Sequence, residues 1–368
     1  MPVDVDAAAL KQLGRDAGLD AVGIAPAAPF LGTRTHLYER RDAGLHGGMQ
    51  FTYRNPDRST DPARALDGAR SIVVGARAYP SSPSSRQRPD RTHHQPRGRV
   101  AAYARADHYA RLTASLDAMA DALRANGWRT RLLVDDNALV DREAAYRAGL
   151  GWYGKNSNLL LPGRGSWFVL GSVITDAALA TDDAPMDDGC GMCRRCIAGC
   201  PTEAIVAPGM VDARRCLAWL LQMRGAFPRE YRVALGDRIY GCDDCQEVCP
   251  QNETDGRKVV MGEPSVSIDA MLTDDDDTLL ARHGRWYIAD RDPRHLRRNA
   301  LIVLGNTGDG HDSRTVQLLG RYLDHPDPML RAQAAWTARR LGRDDLLGPR
   351  AGDPAIASEL AEPAPPPR

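Results

Sequence analysis

The stretch CGMCRRCIAGCP, Cys190 to Pro201, decides how the rest of the chain is read, and GCDDCQEVCP, Gly241 to Pro250, answers it. The first reads C-x2-C-x2-C-x3-C-P; the second reads C-x2-C-x3-C-P, the same run without its leading cysteine. Ile239 stands where that cysteine would fall, and Cys216 is the natural replacement. These runs and Cys216 hold all eight cysteines: Cys190, Cys193, Cys196, Cys200, Cys216, Cys242, Cys245 and Cys249.

The full run is the one that bacterial ferredoxins use for two 4Fe-4S clusters. Two residues between cysteines make a tight turn that aims successive thiolates at neighbouring iron corners. The fourth cysteine opens a helix, points away and ligates the other cluster. The spacing therefore assigns Cys190, Cys193, Cys196 and Cys249 to one cluster, and Cys200, Cys216, Cys242 and Cys245 to the other. Disulfides are disfavoured because no cysteine lies outside the stretch and nothing like a secretory signal precedes it. Structural zinc remains an alternative, although zinc ribbons favour paired C-x2-C hooks over triple runs. Clusters that only hold the fold are the other bland reading; two adjacent clusters more often form an electron relay.

A chain of 368 residues is too long for one ordinary core, so two or three domains are expected. Lys+Arg and Asp+Glu balance at 48 each, which argues neither for nor against nucleic acid. Nearly all of the cations are arginine, Lys11, Lys155 and Lys258 being the lysines. No apolar run approaches the length of a membrane span, and a reduced cytoplasm suits such thiols.

Before the cysteines, helix and strand patterns alternate. Residues 5–17 read as an amphipathic helix, 20–27 as a strand, 34–43 as a helix, and Ser71 to Ala76 (SIVVGA) as a buried strand. Residues 80–97, rich in Pro and Ser, read as a mobile loop, with His93 and His94 more naturally solvated than metal-bound. A helix over 107–126, a strand over 129–134 and another over 165–176 complete a domain built around one sheet. A helix near 212–224 is expected to present Cys216. LRRNALIVLG (296–305) and LRAQAAWTARRLG (330–342) align with a period of 34, which suggests stacked helical pairs. The tail from Gly352 reads as disordered.

With the cysteine runs placed after VD-x4-V-x-R-E, AGLGWYGKN and GSWFVLGSVIT, and before RRNA-x-I-x-LGN (Arg297 to Asn306), the chain resembles the epoxyqueuosine reductases over roughly residues 10 to 342. The resemblance implies an α+β fold in four parts. These are a nitroreductase-like cobalamin-binding α/β domain over 1–180, a ferredoxin-like two-cluster domain over 181–262, HEAT-like helical repeats over 263–346 and a disordered tail over 347–368. It also implies reduction of the epoxide of epoxyqueuosine, at the tRNA wobble position, to queuosine. Cobalamin would be fed by the two clusters and by an external donor of flavodoxin or ferredoxin type, in a cytoplasmic, monomeric enzyme. Removing an epoxide oxygen as water takes two electrons and two protons; clusters pass single electrons, and a reduced corrin cobalt accumulates a pair and attacks carbon. The ring oxygen then needs an acid.

That acid is expected at Asp135, just past the strand end, where the position of the family's proton donor also falls. The family's VD-[ST]-[GA]-P is Val134-Asp135-Asp136-Asn137-Ala138 here, so Asp136 is a second candidate, and an ordinary cap or loop aspartate is the plain alternative. Matching positions imply further cobalamin contacts at Arg58, Ala101, Tyr103, Leu159, Leu170 and Met223, with core packing the competing reading for the apolar ones. The family's D-Y-H is altered to Asp107-His108-Tyr109 nearby. For tRNA, Lys155 and Asn156 in the glycine-rich loop, Arg238, and a basic stripe of Arg297, Arg298 and Arg331 are the expected contacts, with helix-surface salt bridges as the alternative. A corrinoid reductive dehalogenase, a bare iron–sulfur electron carrier and a non-catalytic tRNA-binding protein are the competing functions.

Overall fold

The computed structural model describes residues 2–79, 95–182, 185–253 and 262–366; the expected loop at 80–97, with His93 and His94, lies largely outside them. Two compact units result, and neither is continuous in sequence. The first comprises Met1–Pro83, Ala106–Arg214 and Asp244–Met261; the second comprises Ser84–Arg105, Arg215–Asp243 and Gly262–Arg368. The boundary between Asp243 and Asp244 falls inside the second cysteine run, leaving Cys242 in the second unit and Cys245 and Cys249 in the first.

The first unit is built on a four-stranded antiparallel sheet in the order Ala21–Pro26, Ser71–Ala78, Phe168–Thr175, Thr130–Val134. Its strands are rich in Val, Ile and Leu, as a half-buried pleated surface requires. Helix His108–Ala125, capped by Asp107 accepting from the Ala110 amide, lies on one face. Gly75 and Gly171 are partners across two strands. A Cβ at either would come within 3 Å of a Leu116 methyl, at 2.9 and 2.7 Å, so the glycines let that helix pack closely on the sheet. The other face buries Ile72, Val74, Leu133, Ala138, Leu139, Leu159 and Ile174 in one cluster.

The second unit is mainly helical. Arg294–Thr307, Ser313–Leu323 and Pro328–Arg340 are its long helices, with a small sheet of Arg97–Val100 between Arg238–Tyr240 and Ser265–Ser267. The positions related by the 34-residue spacing, Leu296 with Leu330 and Ala300 with Ala334, are all buried. Thr337 Oγ1 donates to the Leu301 carbonyl at 2.8 Å, joining the two helices directly.

Two expectations are corrected here. The segment presenting Cys216 is a short helix, Leu217–Leu220, with Cys216 as its N-cap, in place of a helix over 212–224. The tail is not disordered throughout: Asp353 caps helix Pro354–Ala361, Ile356 is fully buried, and Glu359 accepts from Arg229 and Arg232. Composition marked this tail as polar and proline-rich; one apolar residue and one carboxylate facing the buried Arg232 and the half-buried Arg229 hold it down.

Candidate active site and cluster ligands

Cys249 returns to the first run. The Cys196 thiol is pushed above its ordinary pKa first by burial, then by Cys249, Cys190 and Cys193. Cys249 is likewise raised, mainly by burial and further by Cys190 and Cys193. Thiols whose ionisation is opposed in this way, as at Cys196 and Cys249, require positive charge to hold them as thiolates, which is what a bound iron–sulfur core supplies. Cys190, Cys193, Cys196 and Cys249 carry free thiols.

Side chains that the cysteine spacing does not reveal hold Cys249 there. Ser166, Gln246 and Asn252 form a buried knot: Gln246 Nε2 donates to Ser166 Oγ at 3.0 Å, and Asn252 Nδ2 donates to the Gln246 carbonyl at 2.8 Å. Asn252 Oδ1 accepts the Ser166 amide at 2.6 Å. Gly165, at φ +66°, has no room for a Cβ, which would lie 1.9 Å from Asn252 Oδ1. The two runs also touch at Gly199, where a Cβ would come 2.9 Å from Val248.

Asp135 stands one residue beyond Val134, the last residue paired across to Gly171, at the level of Leu170. Its backbone is in the left-handed region, φ +51°, a conformation that costs a non-glycine residue on the order of 1 kcal/mol. Asp136 forms the turn that imposes this, its Oδ1 accepting the Ala138 amide at 2.8 Å, with Arg131 at 4.0 Å from its other oxygen. The Asp135 carboxyl is left with no hydrogen bond or ion pair among the described residues. Its pKa is raised by the surrounding protein and then by Asp136. The residue is nevertheless exposed, so the carboxyl remains open to solvent.

Asp141 completes the acidic group and was not singled out from sequence. It begins helix Asp141–Arg147, its Oδ1 is buried without a partner, and its pKa lies well above the carboxylate range, first from burial and then from Asp135. In the motif VD-x4-V-x-R-E it is the unspecified residue before Arg142, so only its burial marks it.

Arg58, in the turn Pro56–Ser59, is exposed and its guanidinium has no partner among the described residues. The Ser59 carbonyl accepts the Val140 amide at 3.0 Å, tying that turn to the loop that follows Asp135. Leu159 is buried and Leu170 half-buried against the same cluster as Leu133 and Ala138. Leu159 and Leu170 thus pack with the strand that leads to Asp135, and the turn bearing Arg58 is tied to the loop that follows it. In the second unit, Ala101 donates its amide to the Tyr240 carbonyl at 2.9 Å. Tyr103 accepts from Gln222 Nε2 at 3.3 Å, which brings it beside Met223.

The tRNA contacts expected from sequence are placed differently. Lys155 Nζ donates to the carbonyls of Gly191 and Cys193, and Asn156 is buried, donating to the Cys245 carbonyl at 3.3 Å; both brace cysteine loops. Arg238 donates to the carbonyls of Ala234 and Leu235. Arg298 has no exposed surface, Arg297 is 8 % exposed and paired with Asp276, and Arg331 is paired with Asp353 at 3.0 Å. The basic stripe is therefore absent as an open surface, because the helix face that carries it is turned into the core.

Residues 189–252 match the model of the 4Fe-4S double cluster binding domain, and residues 59–136, which include Asp135, match that of epoxyqueuosine reductase QueG. An epoxyqueuosine reductase of Bacillus anthracis is 33% identical over 343 residues, covering 89% of this chain and 87% of the relative. This chain belongs to the epoxyqueuosine reductase family. The Xanthomonas campestris epoxyqueuosine reductase is 37% identical over 258 residues, covering 68% of this chain and 72% of its own length. Among solved structures, epoxyqueuosine reductase from Bacillus subtilis, with its catalytic aspartate loop swung out of the active site, superposes with a TM-score of 0.85. It is 28% identical, and 96% of each chain is covered. An epoxyqueuosine reductase crystallised with an epoxyqueuosine-modified tRNA stem loop superposes equally well, at 29% identity and 96% coverage of each chain. Among the described residues of this family member, no helix is long and apolar enough to cross a membrane.

Proposed function

We propose that this chain reduces the epoxide of epoxyqueuosine in tRNA to the alkene of queuosine. The observation that carries the reading is full-length similarity to epoxyqueuosine reductases, one of them crystallised with an epoxyqueuosine-modified tRNA stem loop. We further infer two 4Fe-4S clusters, one on Cys190, Cys193, Cys196 and Cys249 and one on Cys200, Cys216, Cys242 and Cys245. Cobalamin would be held in a nitroreductase-like first half by Arg58, Asp135, Leu159 and Leu170, with HEAT-like repeats at the C-terminal end. When bound, the clusters deliver single electrons from an external donor and the cobalamin supplies an electron pair to carbon.

What the chain's own residues do follows from their surroundings. Asp135 is an unpartnered carboxyl with a raised pKa, so it keeps its proton to a higher pH than an ordinary aspartate and delivers it to the epoxide oxygen as negative charge develops there. The strained turn holds the group off the sheet edge, and Asp136, engaged with the Ala138 amide, fixes that turn. Asp141, whose pKa burial raises, stands within electrostatic reach of Asp135 and can return a proton to it, since the reaction consumes two. Leu159 and Leu170 give the corrin an apolar wall, and Arg58 offers free donors to its amide side chains.

The test is anaerobic purification in the presence of cobalamin, followed by incubation with dithionite and epoxyqueuosine-containing tRNA. Nucleoside mass analysis is expected to show loss of one oxygen. Intact epoxyqueuosine alongside protein loaded with iron and cobalamin would reject the assignment.

A further inference from the structure

Arg298 is fully buried, and all of its donors are accounted for. Nη1 bonds the carbonyls of Met223, at 2.9 Å, and of Gly225; Nη2 bonds those of Leu220 and Leu221, each at 3.2 Å; Nε and Nη2 bond Asn299 Oδ1 at 3.0 and 2.8 Å. No carboxylate pairs with it among the described residues; the charged neighbour that perturbs it is Arg232, a second cation, and its pKa falls to about 9, chiefly through burial. At neutral pH it still carries its charge. Capping carbonyls alone does not explain an arginine here, because a neutral donor would satisfy them without the several kcal/mol needed to bury an unpaired charge.

Both segments that this pair grips lead to cysteines. The carbonyls of Leu220 and Leu221 end the helix Leu217–Leu220, whose N-cap is Cys216. Asn299 Nδ2 donates to Leu221 at 2.9 Å and reaches the carbonyl of Ile239, three residues before Cys242, at 3.5 Å. A helix of this length and three extended residues each span roughly 6–10 Å. With the hydrogen bonds added, the charge lies on the order of 10 Å from Cys216 and somewhat further from Cys242, where it is still felt through a medium of low dielectric.

We propose that Arg298, oriented by Asn299, positions the segments bearing Cys216 and Cys242 and acts as the fixed counter-charge of the second 4Fe-4S cluster. The inference rests on the reading that this cluster exists. On reduction such a cluster gains one electron and no proton, so its negative charge increases, and a nearby buried cation makes that uptake easier. Arg298 is a positioning residue; it touches no substrate.

The experiment compares wild type, Arg298→Met and Arg298→Lys, reconstituted anaerobically, by iron content, by chelator-driven iron release and by potentiometric titration monitored by EPR. Wild type is expected to hold about eight irons in two one-electron centres; failure there rejects the cluster reading itself. In Arg298→Met one centre shifts to a more negative midpoint while the other is unchanged. Arg298→Lys, which keeps the charge and loses the fork, holds its midpoints near wild type but releases about half of its iron faster. If Arg298→Met folds with both midpoints at wild-type values, the counter-charge is refuted. If it does not fold, equal release of all iron, or unaltered release, in Arg298→Lys refutes the positioning role, whatever happens to Tm.

Discussion

Glu359 gives the sharpest stability prediction, because the tail that carries it reads as disordered in sequence and is docked in the structure. Its carboxylate is 6 % exposed; it accepts from Arg229 at 2.8 Å and from Arg232, itself 8 % exposed, at 3.3 Å. Glu359→Leu keeps helix propensity and side-chain volume but leaves Arg232 buried without an anion. Breaking a buried pair from one side costs about 3–5 kcal/mol. Arg229 is 27 % exposed and can rehydrate, and Arg232 keeps its bond to the Phe227 carbonyl at 3.2 Å. The lower end, about 3 kcal/mol, is therefore expected, equivalent to a Tm lower by roughly 4 °C in a chain of this size. Thermal unfolding of the anaerobically loaded protein by circular dichroism measures it, and repetition at high salt leaves the difference in place because the pair is shielded from solvent ions. Ending the chain at Gly352 should be at least as damaging, since Ile356 is also lost. A Tm within about 1 °C of wild type for either variant would show that the tail is not docked.

Asp135→Asn is expected to retain both clusters and bound cobalamin while slowing queuosine formation by at least about 100-fold, the usual contribution of a general acid; queuosine made at the wild-type rate would remove Asp135 from the reaction. For Asp141 the linkage has a definite sign. Its folded-state pKa is raised, so the stability associated with it is complete below the unfolded value, near pH 4, and is lost as pH rises through the folded value. Asp141→Asn should therefore match wild type in acid and gain in Tm as pH increases from there, levelling off above the raised pKa; a difference independent of pH would contradict the burial of this carboxyl. Cys249→Ser should abolish the EPR signal of the cluster on the first run, whereas Cys200→Ser should spare it. The reverse pattern would mean that each run feeds its own cluster.

How much was legible from the sequence depended on the range of the interactions involved. A tight turn with two residues between thiols is a local construction, so the cysteine runs gave the cluster chemistry directly. Periodicity gave the sheet strands, to within a few residues, and the long helices. The signal at Asp135 was also local, a strand ending in an aspartate, and the structure adds the left-handed backbone and the lack of any partner. Arg297 and Arg298 misled for the same reason: on a helix written as a pattern an arginine belongs outside, and nothing nearby in sequence announces that carbonyls of residues 220–225 await it.

The amino-acid sequence alone determined the family resemblance, the two cysteine runs and the aspartate that follows the strand end, because each is fixed by identity and short spacing. Tertiary structure alone showed that the Ser166–Gln246–Asn252 knot braces Cys249, that Asp141 Oδ1 is buried within electrostatic reach of Asp135, and that Arg298 and Glu359 are interior. Burial is a property of what packs against a side chain from far along the chain, and it is burial that sets Asp141, Arg298 and Glu359 apart from surface residues of the same type.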